Sequence, residues 1–260
     1  MQGIDEAFLD QALAVAKQAA AAAAQVIAKH YRRGGLVERK ADASPVTVAD
    51  REAELAIKAV LREHFPSHAC FGEEFGRDGA SVFTWLIDPI DGTRSFVRGY
   101  PFFSTQIALM YGGELVLGVS SASQFCELAW ARRSGGAFLN GERIAVSLAD
   151  RIEHAHVSLG NLKTMAGDPR WLKLAALVRH AERVRGYGDF YHYHLLARGA
   201  IDAVIESDVH ILDVAALSLL VTEAGGVITD LDGDPIGLST TSILAAAPGI
   251  HGALLAAFHD

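Results

Sequence analysis

The chain has 260 residues, 50% of them hydrophobic and 21% charged, with a formal net charge of −8. That length lies near the point where one hydrophobic core gives way to two, and the balance is ordinary for a globular protein. The acidic surplus excludes a sequence-independent nucleic-acid binder, which needs a broad basic face, and it means that an anionic ligand would have to be received by metal cations.

The chain opens on an Ala-rich stretch, residues 12 to 24. Asp5, Glu6 and Asp10 stand where a signal peptide carries positive charge, and Lys17 and Gln18 interrupt the apolar run, so it reads as a helix over residues 5 to 31. Gly34 and Gly35 close that helix after Arg32 and Arg33. No stretch reaches membrane-spanning length without a charge. A soluble, cytoplasmic protein with no membrane partner is expected. Cys70 and Cys126 fit no metal-ligand spacing and read as reduced, packed thiols.

KADASPVTVAD (40 to 50) reads as a loop running into a second helix, ADREAELAIKAVLREHF, whose apolar residues fall at helical spacing and which Pro66 ends. FGEEF follows, then a strand from Ser81 to Ile87 that runs into DPIDGT. STQIALMY, ELVLGVSSAS and CELAWARRSGGAFLNGERI read as consecutive strands joined by turns such as Asn140-Gly141, an antiparallel meander. From about residue 150 strand and helix alternate: HVSLG, a helix near 168 to 181, the helix YGDFYHYHLLARG, the strand IDAVIE, the helix LDVAALSLLVTEAGG, the strands VITDL and SILAAA, and the closing helix GIHGALLAAF. This grammar predicts a layered α/β (α+β) protein with two tightly packed halves, residues 1–149 and 150–260, forming one compact unit.

Four short segments hold chemistry. In DPIDGT, Asp88 and Asp91 end an apolar strand, and buried carboxylates are costly unless paired or bound to metal. Carboxylate and carbonyl oxygens suit hard cations such as Mg²⁺. Taken alone, the segment fits a metal site or an Asx turn equally. Glu73 and Glu74 in GEE read alone as a solvated face. Thr47 and Asp50 have capping-box spacing, and Asp213 stands where a helix N-cap would.

In combination, K-x-D-x-S-P-V-T-x-A-D, G-E-E, D-P-I-D-G-T, and L-D-V-A-A followed by T-E-A-G-G-V resemble, in that order and nearly end to end, the inositol monophosphatase family of Mg²⁺-dependent, lithium-sensitive phosphatases. The resemblance implies the family's layered αβαβα sandwich, with an antiparallel sheet in the first half and a smaller helix-covered sheet in the second. It implies two to three Mg²⁺ ions. Glu73, Asp88 and the Ile90 carbonyl would hold one, and Asp88, Asp91 and Asp213 another. Thr93, supported by Asp50, would position the attacking water with Glu73 as a further catalytic group. The amides of Gly92 and Thr93 would take the phosphate, and Lys40 and Glu74 would support the site. A homodimer acting on a small-molecule phosphate ester, with no nucleic-acid partner, is implied as well. One departure stands out: Leu212 replaces the tryptophan usual before the downstream aspartate.

DGTRSFVRG and the later RGYGDFYHYHLLARGAIDAVIE look most like the family's histidinol-phosphate phosphatases. Histidinol phosphate carries an ammonium group and an imidazole, which carboxylates and aromatic faces recognise. Asp189 and Glu206 are the expected partners of that cationic end, with Arg94 lining the pocket. Asp189 could instead cap its helix, and Glu206 could face solvent. The rival activities are inositol-1-phosphate hydrolysis or broad small-molecule phosphatase action, and the rival class is a non-catalytic regulatory homologue. His192 and His194 do not share a helix face and make a poor zinc pair. Asp230, Asp232 and Asp234 lack the glycine and glutamate of a calcium loop and read as a turn.

Overall fold

The computed structural model describes residues 4–32, 37–39 and 45–259. Gly34, Gly35 and Lys40 lie outside the described residues. The first helix, α1 (Glu6–His30), starts where the Asp5 side chain accepts the Ala7 amide at 3.1 Å. It buries Ala12, Ala16, Ala19 and Ala23, and these short side chains let it lie close to its neighbours. A two-stranded antiparallel ribbon, β1 (Val37–Arg39) and β2 (Pro45–Thr47), replaces part of the expected loop. It leads into α2 (Val48–His64), whose apolar stripe Ala53, Ile57 and Leu61 is fully buried.

Next come β3 (Ala69–Gly72), β4 (Gly76–Asp78), β5 (Phe83–Asp91), the short α3 (Thr93–Arg98), β6 (Ser104–Tyr111), β7 (Glu114–Ala122), β8 (Glu127–Arg132), β9 (Gly136–Leu139) and β10 (Glu142–Ile144). They form an eight-stranded sheet in the order β10-β9-β8-β7-β6-β5-β3-β4. From β5 to β10 it is the predicted antiparallel meander, whereas β3 joins parallel to β5. That parallel pair is made possible by the connection through β4, and it sets Glu73 beside the end of β5.

The remaining elements are β11 (His156–Leu159), α4 (Leu162–Met165), α5 (Trp171–His180), β12 (Arg183–Arg185), α6 (Asp189–Ala197), β13 (Ala203–Ser207), α7 (Ile211–Glu223), β14 (Val227–Thr229), β15 (Ser242–Ala246) and α8 (Pro248–His259). A mixed five-stranded sheet runs β12-β11-β13-β15-β14. The helix expected near residue 168 starts at Trp171, because Asp168 accepts the Arg170 amide and guanidinium and holds the preceding residues in a turn.

The layers follow from the pleat. On β5, Trp85 and Ile87 enter the core beneath α1 and α2, while Leu86 points the other way into the core shared with α6 and α7. A strand covered on both faces needs apolar residues at every position, which is why WLI reads as a continuous run. The five-stranded sheet packs one face on α6 and α7 and the other on α5 and α8, where Leu174, Leu177, Ile205, Leu244 and Leu254 meet. The result is the expected αβαβα sandwich. Cys70 is buried, but Cys126, read as packed, is exposed on a left-handed turn at φ 55°. Among the described residues no helix is long and apolar enough to cross a membrane.

Candidate active site

Residues three apart on a regular strand point to opposite faces, so Asp88 and Asp91 could not share a site on an undisturbed β5. The register against β6 shifts between them: Asp88 pairs with Gln106 and Asp91 with Ser104. This bulge turns both carboxylates toward one cleft. It is pinned by the Ile90 amide donating to Asp88 Oδ1 at 2.9 Å and the Thr105 hydroxyl donating to the Pro89 carbonyl at 2.8 Å. Gly92 then adopts φ +87°, and a Cβ there would sit 2.5 Å from the Phe102 carbonyl oxygen. Only glycine turns the chain here into α3, whose first N–H groups have no intrahelical acceptor.

Two further carboxylates arrive from helix starts. Asp213 is the third residue of α7 and accepts the His210 amide at 2.8 Å. Asp50 is the third residue of α2 and accepts the Thr47 amide at 2.7 Å and the Thr47 hydroxyl at 2.6 Å on Oδ2. Each closes a capping box from the third helical position, as the spacing indicated for Asp50; His210, rather than Asp213, is the N-cap of α7, and Asp213 lines the cleft while Asp50 stands behind Thr93. The Thr93 hydroxyl lies 3.2 Å from Asp50 Oδ1 and 3.0 Å from the Ile90 carbonyl, its two available acceptors. With its proton directed backward, the Thr93 oxygen keeps its lone pairs for the cleft.

Glu73 leaves the end of β3 with its amide donating to the Ile87 carbonyl at 3.1 Å. Its neighbour Glu74 has its amide held at 2.7 Å by Glu54 Oε2 from α2. Glu54 is fully buried and its other oxygen lies 2.6 Å from Lys58 Nζ. Gly72 makes room for this carboxylate, since a Cβ there would fall 1.9 Å from Glu54 Oε1. The glycine of GEE is therefore explained by packing, and it fixes the loop that presents Glu73.

The cleft, about 190 Å³, is lined by Glu73, Asp88, Ile90, Asp91, Gly92, Thr93, Arg94, Ser95, Asp189 and Asp213. Ligand oxygens of Asp88, Asp91 and Asp213 lie within 4.8 Å of one another. Burial, followed by the charges of Glu73, Asp91 and Asp213, pushes Asp88 well above the ordinary carboxylate range. Burial, followed by Asp189 and Asp213, does the same to Asp91. Asp213 is raised to about 7, chiefly by burial. Among the described residues no lysine, arginine or histidine forms an ion pair with any of the three. Crowded carboxylates, Asp88 buried and Asp91 and Asp213 partly so, with no cationic partner among the described residues and a backbone carbonyl beside them, form an all-oxygen donor set, and that chemistry fits a hard divalent cation.

Beyond the cluster, Asp189 opens α6 at φ 47°, with its carboxyl raised to about 6 by burial and by Glu206, against a hydrogen bond from Ser95. Glu206, on β13, lies deeper, only 5% exposed, so it does not face bulk solvent as the bland reading allowed. Arg94 is exposed at the rim. The structure thus gathers Glu73, Asp88, Ile90, Asp91, Gly92, Thr93 and Asp213 around one cleft with Asp50 behind Thr93, while Lys40 lies outside the described residues. Sequence reading missed Ser95 and Glu54. Glu54 and Lys58 had a signal, an i,i+4 ion pair on the apolar stripe of α2; Ser95 had none.

The sequence profile of the inositol monophosphatase family matches residues 9–260. The histidinol-phosphatase of Mycobacterium tuberculosis is 40% identical over 205 residues, 76% of this chain and 78% of that protein. The fructose-1,6-bisphosphatase/inositol-1-monophosphatase of Aquifex aeolicus is 32% identical over 95% of each. Among solved structures, the extragenic suppressor protein suhB from Bartonella henselae superposes with a TM-score of 0.88 at 32% identity, covering 95% of this chain and 98% of that one.

Proposed function

Since the chain belongs to the inositol monophosphatase family and is a phosphatase of that family, we propose that it hydrolyses L-histidinol phosphate to L-histidinol and inorganic phosphate, with Mg²⁺ as its metal. The observation that carries the choice of ester is a pair of carboxylates: Asp189, which lines the cleft, and Glu206, close enough to Asp189 to raise its carboxyl. A neutral polyol can only donate hydroxyl hydrogen bonds to these carboxylates, whereas an ammonium and a protonated imidazole add charge pairing to their hydrogen bonds. The histidinol-phosphatase relatives support the same choice.

Glu73, Asp88, the Ile90 carbonyl, Asp91 and Asp213 would hold two to three Mg²⁺ ions, which supply positive charge for the phosphoryl oxygens and lower the pKa of water. The protein's own share is positional. The amides at Gly92 and Thr93 hold phosphate oxygens. Thr93, its proton fixed on Asp50 or Ile90, accepts a hydrogen bond from the attacking water and so orients it in line with the ester bond. Burial raises the Asp50 carboxyl while its bonds from Thr47 oppose that rise; held by three donors, it anchors Thr93. Glu73, exposed at the mouth, can accept a proton from the same water. Glu74 braces the loop, and Arg94 offers a cation to the ester at the rim. Lithium inhibition, a cytoplasmic location and a homodimer are carried by family resemblance.

The test is steady-state phosphate release from histidinol phosphate and inositol 1-phosphate, each with Mg²⁺ and with a chelator. The reading expects histidinol phosphate to have the higher kcat/KM and the chelator to abolish turnover. Preference for inositol 1-phosphate would transfer the assignment to the activity named for the Aquifex relative.

A further inference from the structure

Glu206 is held in an unusual way. Among the described residues, both of its hydrogen bonds fall on one oxygen: the Tyr193 hydroxyl donates to Oε2 at 2.9 Å, and His192 Nε2 lies 3.1 Å from the same atom. His192 is fully buried, and its Nδ1 is 3.2 Å from the Ser158 hydroxyl. Ser158 is also fully buried and accepts the Tyr187 amide at 3.2 Å. The hydroxyl keeps its proton and a second lone pair, so it can meet either tautomer of His192 at Nδ1. His192 Nε2 is the ring nitrogen that faces Glu206, and with a proton there it donates to Oε2. Tyr193 stays protonated, since burial and the neighbouring carboxylate raise its phenol well above the ordinary range.

Two ring side chains of α6, His192 and Tyr193, therefore hold one oxygen of the carboxylate. The second oxygen, Oε1, has no hydrogen bond among the described residues and is not among their sealed, unpartnered polar atoms, so solvent reaches it. Gly160 keeps its place open, because a Cβ there would lie 2.1 Å from Oε1. Glu206 is near enough to act electrostatically on Asp91, Asp189 and Asp213. One oxygen of Glu206 is thus held from α6, while Oε1 has no hydrogen bond among the described residues, and the side chain is close to Asp189 of the cleft lining.

We infer that Ser158, His192 and Tyr193 form a positioning relay that aims Glu206 Oε1 at the cationic end of the substrate and so sets the preference for esters of amino alcohols over polyols. The inference rests on the function proposed above. None of the three touches the reacting atoms; they act through Glu206. His192→Asn puts an amide where Nδ1 stood, toward Ser158, and is too short to reach Glu206. His192→Gln restores a donor near the Nε2 position.

The experiment measures kcat/KM for histidinol phosphate and for inositol 1-phosphate in the Mg²⁺-loaded wild type and in His192→Asn, His192→Gln, Tyr193→Phe and Glu206→Gln. Removing one donor to a buried charge should lower the ratio of the two constants by about 10-fold in His192→Asn and Tyr193→Phe, through KM for histidinol phosphate. Turnover of inositol 1-phosphate should stay within about 2-fold, and His192→Gln should recover most of the ratio. In a Glu206→Gln background, His192→Asn should change the ratio no further, a coupling that general loosening of the fold would not produce. If the wild type prefers histidinol phosphate but both donor variants keep its ratio, or if the effects add fully to that of Glu206→Gln, the relay is overturned and the proposed function stands. If the wild type shows no preference, both fall. Should His192→Asn fail to fold, Tyr193→Phe, which removes a single hydroxyl, decides alone.

Discussion

Gly118 of β7 is where α7 comes closest to the large sheet, and replacing it tests whether the site depends on that contact. A Cβ at Gly118 would lie 2.7 Å from the Ala216 carbonyl oxygen, 2.9 Å from its Cα and 3.2 Å from its carbonyl carbon. All three are backbone atoms, so no side chain can rotate aside. Reaching the 3.4 Å where ordinary contact begins requires α7 and β7 to separate by 0.7 Å at this point. Overpacking of this kind costs about 1–3 kcal/mol, and in a chain of this size each kcal/mol lowers Tm by roughly 2–4 °C. Gly118→Ala should therefore melt about 2–12 °C below the wild type. Asp213 lies one helical turn before Ala216, so the same displacement carries a carboxylate of the cluster away from Asp88 and Asp91. Misplacements near 1 Å cost on the order of 100-fold in catalysis; a 10- to 100-fold fall in kcat/KM is expected, with a smaller rise in Tm on adding Mg²⁺. Differential scanning calorimetry with and without Mg²⁺, alongside phosphate release, reads both effects. Gly252→Ala, on α8 with nothing within 4 Å of the new atom, is the control and should be neutral or slightly stabilising. A Gly118→Ala protein with wild-type Tm and turnover would refute the reasoning that this packing positions the cluster.

Three other outcomes follow from the carboxylate cluster. Asp213→Asn should lose at least about 100-fold in turnover at saturating Mg²⁺, and with chelator present it should melt above the wild type. The Asp213 carboxyl is raised to about 7 in the fold, so its protonated form stabilises the metal-free protein below the unfolded carboxylate range, and that contribution is lost as pH rises through about 7. The Tm difference between Asp213→Asn and wild type in chelator should then be small at pH 5 and grow toward pH 8; a difference independent of pH would contradict the electrostatic account. Gly92→Ala should lose both stability and turnover, since it strains a φ of +87° and meets the Phe102 carbonyl oxygen; a stable, active variant would show that the phosphate turn tolerates another geometry.

Much of the fold is legible in the sequence because its signals are local. The periodicity of α2, the antiparallel meander of β5 to β10 and the strand–helix alternation after residue 150 each rest on spacing within a few residues. What was not legible depends on distant partners. β12 is three residues of alternating Arg and Val that become a strand only because β11 offers an edge, and the parallel pairing of β3 with β5 is a choice among sheet edges. Cys126 is exposed because its turn takes a left-handed φ that no local pattern announced. At the site, DPIDGT carries its own bulge and glycine, so Asp88 and Asp91 could be named together. Asp50 and Asp213 look like helix-capping residues, and both sit at the third position of a capping box; that Asp213 also lines the cleft and Asp50 also holds Thr93 emerges only once α7 and α2 dock. The His192–Glu206 bond spans α6 and β13 and left no trace in the order of residues.

Diffraction from crystals soaked in Mn²⁺, used in place of Mg²⁺ for its anomalous signal, addresses the metal-cage claim most directly. The account predicts anomalous peaks bounded by Glu73, Asp88, Asp91 and Asp213, with the peak shared by Asp91 and Asp213 lost in Asp213→Asn crystals. Peaks only at surface carboxylates elsewhere, in crystals of protein that still releases phosphate with the same metal, would contradict it.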